Sequence, residues 1–214
     1  MKPAPQPQTT IRILIADDHP IVLNGLSMLF NYEPGMEAVA EARNGLEAVE
    51  LFRLHQPDVT LLDLRMPQLG GVDTIKTIRQ EFPEARIIVL TTYDGDEDIY
   101  RGLQAGAKGY LLKDASCDVL IEAIRTVHAG QKYIPTRVGA KLAERLDTPQ
   151  LSDREKEVLC CMAKGMTNQE IGITLAIAEG TVKYHINNIL GKLQVSDRIQ
   201  AVMIGLKRGI VSLE

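Results

Sequence analysis

Residues 59–67 read VTLLDLRMP, an unbroken apolar run that ends in Asp63, with a proline four residues further on. Val59, Thr60, Leu61 and Leu62 have the β-branched and aliphatic character of a strand buried on both faces. A carboxylate just past such a strand is either a cap for the next turn or a chemical reagent. Capping is the commoner fate of a lone aspartate at an element boundary. The stretch alone favours the cap, so the choice depends on what the rest of the chain brings beside Asp63.

From Ile11 to about His128, strand-like runs alternate with segments of helical period. The runs are IRILIA (11–16), MEAVAEA (36–42), DVTLLD (58–63), ARIIVLT (85–91) and KGYLL (108–112), and the helical segments include IVLNGLSMLF and GLEAVELFRL. Such alternation predicts an α/β fold with a doubly wound, five-stranded parallel sheet and helices on both faces. In these folds ligands bind beyond the carboxyl ends of the strands, where the strand order switches. The first strand ends in Asp17-Asp18, the third in Asp63, the fourth in Thr91-Thr92, and Lys113 follows the fifth. Three carboxylates gathered at one edge repel one another, and an oxygen-rich acidic site suits a hard cation such as Mg²⁺. A threonine hydroxyl and a lysine ammonium beside them suit a phosphoryl group, and an aspartate can be its nucleophilic acceptor.

Composition is that of a soluble globular protein, with 45% apolar and 24% charged residues in a chain of 214, long enough for two modest domains. The opening MKPAPQPQTT has no apolar core of the signal-peptide kind and reads as a disordered tail over 1–9. No window reaches the length of a membrane span, so no membrane partner is expected and the cytoplasm is the expected compartment. Cys117, Cys160 and Cys161 fit no common metal-ligand spacing and read as reduced structural thiols, so structural zinc is not expected.

ADDH (16–19), DLRMP (63–67), LTTYD (90–94) and GYLLKD (109–114) resemble the signatures of receiver domains of two-component response regulators, in the order and spacing of that family over residues 10–128. The resemblance implies that Asp63 accepts a phosphoryl group from a sensor histidine kinase. It implies that Asp17, Asp18, Asp63 and the main-chain carbonyl of Arg65 hold Mg²⁺, and that Thr91 and Thr92 lie at the phosphoryl group with Lys113 paired to it. It further implies that Tyr110 reorients with Thr91 on activation, shifting a monomer–dimer equilibrium through the face of the fourth helix, fifth strand and fifth helix. The plain alternative for Tyr110 is a half-buried ring in the last strand.

The pattern changes after the receiver. AGQKYIPTRVGAKLAERLDTPQ (129–150) mixes Gly, Pro and charge around a short helical run from Val138 to Leu146, which predicts a linker over 129–148 or an interdomain helix within it. Residues 149–214 read as a small all-α domain. Ser152 with Glu155, and Thr167 with Glu170, stand at capping-box spacing, and Gly165 lies between the two helices they open. In the next helix, over about 179–193, Val182, Ile186, Ile189 and Leu193 make one buried stripe. Lys183, Tyr184, Asn187 and Asn188 fall on the opposite face, long donor-bearing side chains suited to a major groove. Such a face is more often merely solvated.

LSDREKEVL, KGMTNQEI and EGTVKYHINNILGKL closely resemble the LuxR-type helix-turn-helix, and the two halves together resemble response regulators of the NarL/FixJ type. This implies Thr181, Lys183, Tyr184, Asn187, Asn188 and Lys192 as DNA contacts on a promoter. Two positions depart from the family pattern: Ala178 where a capping serine is usual, and Gly172 where alanine is usual, each expected to cost up to about 1 kcal/mol. Residues 151–214 carry eight Lys+Arg and seven Asp+Glu. A single domain of such small charge gains little from phosphate contacts, so paired half-sites and a homodimer are expected. The last helix, read as capped by Ser196, bears Ile199, Val202 or Met203, and Leu206, an apolar stripe that serves either its own domain or a second copy.

The reading is therefore a phosphorylation-controlled DNA-binding transcription regulator and not an enzyme. Two alternatives compete: a regulator with a vestigial receiver, and an aspartyl-phosphate hydrolase of the haloacid-dehalogenase kind. The hydrolase needs a second aspartate two residues after the nucleophile, and that position is Arg65.

Overall fold

The computed structural model describes residues 10–147 and 149–211, the side chains of 146 and 147 excepted; the tail expected over 1–9 lies outside the described residues. The chain divides into two compact units, Met1–Thr92 with Tyr100–Val138, and Tyr93–Ile99 with Gly139–Glu214. Among the described residues no helix is long and apolar enough to cross a membrane, and no disulfide is formed.

The first unit carries five parallel strands, β1 (Ile11–Ala16), β2 (Met36–Ala42), β3 (Val59–Leu62), β4 (Ile87–Thr91) and β5 (Gly109–Leu112), in the order β2-β1-β3-β4-β5. Between them run α1 (Pro20–Tyr32), α2 (Gly45–His55), α3 (Gly71–Glu81) and α4 (Asp96–Gln104, its first residues in the second unit), with α5 (Cys117–His128) after β5. The order reverses between β1 and β3, the switch point that the doubly wound rule marks for ligands. On one face Ile13, Ile15, Leu61, Ile88, Leu90 and Leu111 pack with Leu23 and Phe30 of α1 and Leu120 and Ile124 of α5. The alternate residues Leu14, Leu62, Ile87 and Val89 are buried as deeply, which is why these strands read as continuous apolar runs rather than alternating ones. Each such side chain contributes about 1.5–3 kcal/mol relative to exposure.

Register sets the site. β1 and β3 pair Ala16 with Leu62, so the next residue of each strand, Asp17 and Asp63, stands beside the other. Asp63 N–H closes this ladder on Ala16 O at 2.9 Å. Further along the edge β4 and β5 pair Thr91 with Leu112, and Lys113 N–H donates to Thr91 O at 2.9 Å.

The second unit contains α6 (Thr136–Asp147, its first residues in the first unit), α7 (Asp153–Ala163), α8 (Asn168–Leu175), α9 (Glu179–Leu193) and α10 (Arg198–Lys207). Both capping boxes form, Ser152 with Glu155 and Thr167 with Glu170, and Gly165 takes the left-handed conformation at φ +78° after α7. The helices enclose Leu151, Val158, Leu159, Met162, Ile171, Val182, Ile189 and Leu193. Ala178 caps α9 without a side-chain hydrogen bond, as its methyl dictates. Gly172 turns out to be more than a poor helix former. A Cβ at that position would lie 2.8 Å from Ile177 O, so alanine would push the turn between α8 and α9 apart. The cap of α10 is Asp197, which accepts from Gln200 N–H at 2.9 Å. Ser196, expected in that role, instead donates its N–H to Gln200 Oε1 at 3.2 Å.

Glu155 ties α7 to α9. It is buried and accepts from Ser152 N–H at 2.7 Å and from Lys192 Nζ at 2.6 Å. Burial pushes its carboxyl upward, but the Lys192 ammonium and the Ser152 amide more than offset this and hold it below its ordinary value of 4.5. A folded-state value below the unfolded one means that the stabilisation is complete above pH 4.5 and is lost as pH falls through the folded value. Glu155→Gln is therefore expected to cost about 1–2 kcal/mol at pH 7. The melting-temperature gap between it and the wild type should narrow on going to about pH 3.5. An unchanged gap there would rule out the carboxylate charge as the source.

Candidate functional site

Four elements deliver the acidic site. Asp17 and Asp63 emerge from the two central strands and are buried, while the side chain of Asp18, next in the β1–α1 turn, is 35% exposed. Lys113 reaches across from the end of β5 and places Nζ 2.6 Å from Asp17 Oδ2 and 2.6 Å from Asp63 Oδ2. Burial works to lower the lysine pKa, yet the hydrogen bonds and charges of the two aspartates win and hold it above 10.5. The other oxygen of Asp63 accepts from Leu64 N–H at 2.6 Å and, at 3.4 Å, from Arg65 N–H. Gly71 makes this turn possible: a Cβ there would sit 2.3 Å from Asp63 O, so α3 starts directly against the aspartate's backbone.

Thr91 is buried at the end of β4, and Thr92 beside it is exposed. Tyr110 is not half-buried: its ring is fully enclosed, and a side chain at Gly102 of α4 would meet it at 3.6 Å. Any reorientation of this ring must therefore start from an inward position.

One residue escaped the sequence reading as a participant. His19 follows the acidic pair, with Nδ1 2.8 Å from Asp18 Oδ1 and 3.1 Å from Asp17 Oδ1. One donor atom from each of Asp17, Asp18, His19 and Asp63 lies within 4.8 Å of the others. The only signal for it was its place in ADDH. The oxygen-rich, partly buried set fits Mg²⁺, a hard dication that binds through one or two carboxylates and keeps several waters.

The second candidate surface is on α9. Val182, Ile189 and Leu193 are buried and Ile186 packs against them, as the stripe predicted. Thr181, Lys183, Tyr184 and Asn187 are exposed, and Asn188 is half-exposed. Lys183 pairs with Glu179 one turn earlier at 2.8 Å, an exposed contact worth about 0.3–0.5 kcal/mol that yields readily to a stronger anion. On α10 the apolar residues sort into two groups. Val202 and Leu206 pack into the core, whereas Ile199 and Met203 are 73% and 65% exposed.

A family profile described as "Response regulator receiver domain" matches residues 13–125, and one described as "Bacterial regulatory proteins, luxR family" matches residues 149–204. The chain is a response regulator. Relatives along nearly its whole length include the nitrate/nitrite response regulator protein NarP of Escherichia coli, 41% identical over 94% of this chain and 96% of that one. The oxygen regulatory protein NreC of Staphylococcus carnosus is 38% identical over 94% and 99%. Among solved structures, that of two RcsB dimers bound to two parallel DNAs is similar with a TM-score of 0.69 at 27% identity, covering 93% of this chain and 99% of that one. The regulator is thus of the NarL/FixJ type, a receiver fold followed by a LuxR-type DNA-binding domain, and its named relatives are transcription regulators.

In the regulator Lys192 differs from the other residues expected at DNA. Its ammonium is engaged with Glu155 inside the domain, so a phosphate contact from it would have to be shared with that carboxylate.

Proposed function

We propose that the regulator is switched at Asp63, which takes a phosphoryl group from a sensor histidine kinase, and that the switch controls dimerisation and promoter binding in the cytoplasm. The observation that carries this reading is the juxtaposition of the Asp63 and Asp17 carboxylates on one lysine at the strand-order switch point. A carboxylate oxygen of Asp63 attacks phosphorus, the P–N bond to the kinase imidazole breaks, and the imidazole leaves with a proton from solvent. Asp17, Asp18, Asp63 and the carbonyl of Arg65 would hold Mg²⁺, which supplies neutralisation of the charge on the transferred group. Lys113, charged and already between the two aspartates, follows the negative charge onto the phosphoryl oxygens. Thr91 offers a hydroxyl to the same oxygens, and Thr92 lies at the exposed rim.

On the DNA side, α9 presents Lys183, Tyr184, Asn187 and Asn188 to a major groove, with Thr181 near a phosphate and Lys192 at the far end. The near-neutral charge of the domain favours two copies on paired half-sites, and Ile199 with Met203 gives α10 an exposed apolar contact for the second copy. RcsB, a relative by structure, is named as dimers on DNA.

Genomic DNA capture with the full chain, with and without a small-molecule phosphodonor, tests the whole reading. A discrete set of promoters should be enriched only with the donor, and Asp63→Asn should lose the enrichment. The same promoters retained by both proteins without donor would instead establish the vestigial-receiver reading.

A further inference from the structure

Beyond a Mg²⁺ site, the acidic pocket has a nitrogen donor at its mouth. Among the described residues, Asp17, Asp18, His19 and Asp63 are the one group of three or more such donors close enough to share an ion. His19 is the N-cap residue of α1, but its side chain makes no capping hydrogen bond. Its imidazole is turned to the aspartates instead, with Nδ1 2.8 Å from Asp18 Oδ1, and its backbone N–H is tied to Asp17 Oδ1 at 3.0 Å. Pro20 at the first position of the helix fixes the chain direction there. The ring is two-thirds exposed, so it adjusts at little cost in packing.

We infer that His19 converts the oxygen-only site into a mixed nitrogen–oxygen site that binds imidazole-favouring first-row dications more tightly than Mg²⁺. The inference rests on the metal reading proposed above and goes beyond it. Mg²⁺ gains almost nothing from imidazole, because it is hard and prefers oxygen and water. Ni²⁺ and its neighbours in the series gain a strong ligand while keeping the carboxylates. The three aspartates attract every dication and on their own already hold Ni²⁺ more firmly than Mg²⁺, so the imidazole's share is the part of the Ni²⁺ affinity that is lost with His19. Such an ion would compete with Mg²⁺ for the pocket that holds Asp63, making the identity of the available metal an input to the regulator separate from its kinase.

Calorimetric titration of the full-length protein with Mg²⁺ and with Ni²⁺ tests this, using wild type, His19→Ala and Asp18→Asn. Wild type should bind Ni²⁺ more tightly than Mg²⁺, and by a wider margin than His19→Ala does. His19→Ala should weaken Ni²⁺ by at least about tenfold and change Mg²⁺ by less than about twofold. Asp18→Asn should weaken both, showing that they share one site. A His19→Ala protein with the wild-type Ni²⁺ affinity overturns the inference while leaving the Mg²⁺ reading standing. Wild-type protein that binds neither ion overturns both.

Discussion

Asp63→Asn is expected to abolish the phosphoryl adduct that the wild type gains from a small phosphodonor in Mg²⁺, read by intact mass. The amide removes the nucleophilic charge from the aspartate that the DLRMP signature singles out. Asp17 shares Lys113 with Asp63 but belongs to the neighbouring strand, and Asp18 lies at the exposed rim. Asp17 and Asp63 each have one oxygen held by an amide of their own turn and the other facing the lysine, and it is Asp63 that stands in the DLRMP signature. Chelation of Mg²⁺ should suppress labelling of the wild type as well, since the carboxylates and the incoming phosphate would then repel one another unscreened. A full-mass adduct on the Asn variant would remove Asp63 from its assigned role.

Replacing Asn187 or Lys183 by alanine should weaken binding to the operator by about 1–3 kcal/mol where the side chain reads a base, or about five- to 150-fold. Preference should relax at one base pair. Both side chains project from the face opposite the buried Val182 and Ile189, so truncation leaves the core of the domain untouched. Thr181→Ala, in the first turn of the helix, should instead weaken operator and scrambled DNA alike if this side chain meets a phosphate. Affinities measured on both DNAs at one salt concentration separate the cases. If Lys183→Ala and Asn187→Ala both keep wild-type affinity and base preference, α9 is not the reading helix.

What could be seen in the sequence followed from how strongly each position is determined by its neighbours. A strand buried on both faces has to be apolar, so the polar residue that ends it is conspicuous, and Asp17, Asp63, Thr91 and Lys113 were all found at strand ends. Capping boxes span only three residues, and both formed as read. Long-range pairing left no such trace. Glu155 was already explained by Ser152, and nothing local announced that Lys192, 37 residues away, would share its carboxylate. His19 sat inside a recognisable motif at the start of a helix, where a histidine excites no interest until its ring is seen against two aspartates. Tyr110 was placed in the right strand at the wrong depth, because the space it fills depends on Gly102 of a separate helix. Gly172 was judged by intrinsic helix preference alone, whereas the approach of Ile177 O decides it.

The order in which the site's parts leave the ribosome has a consequence. Asp17 and Asp63 become neighbours when β1 pairs with β3, but Lys113 lies a further 50 residues along and reaches them only after β4 and β5 have joined the sheet. A nascent chain that has just exposed Asp63 therefore holds two adjacent carboxylates with no lysine between them, in a sheet that still lacks two of its five strands. Phosphoryl acceptance is thereby tied to completion of the sheet: chains truncated before Lys113 should be silent to the kinase, and competence should arise as the last strand docks, while the DNA-binding helices are still being synthesised.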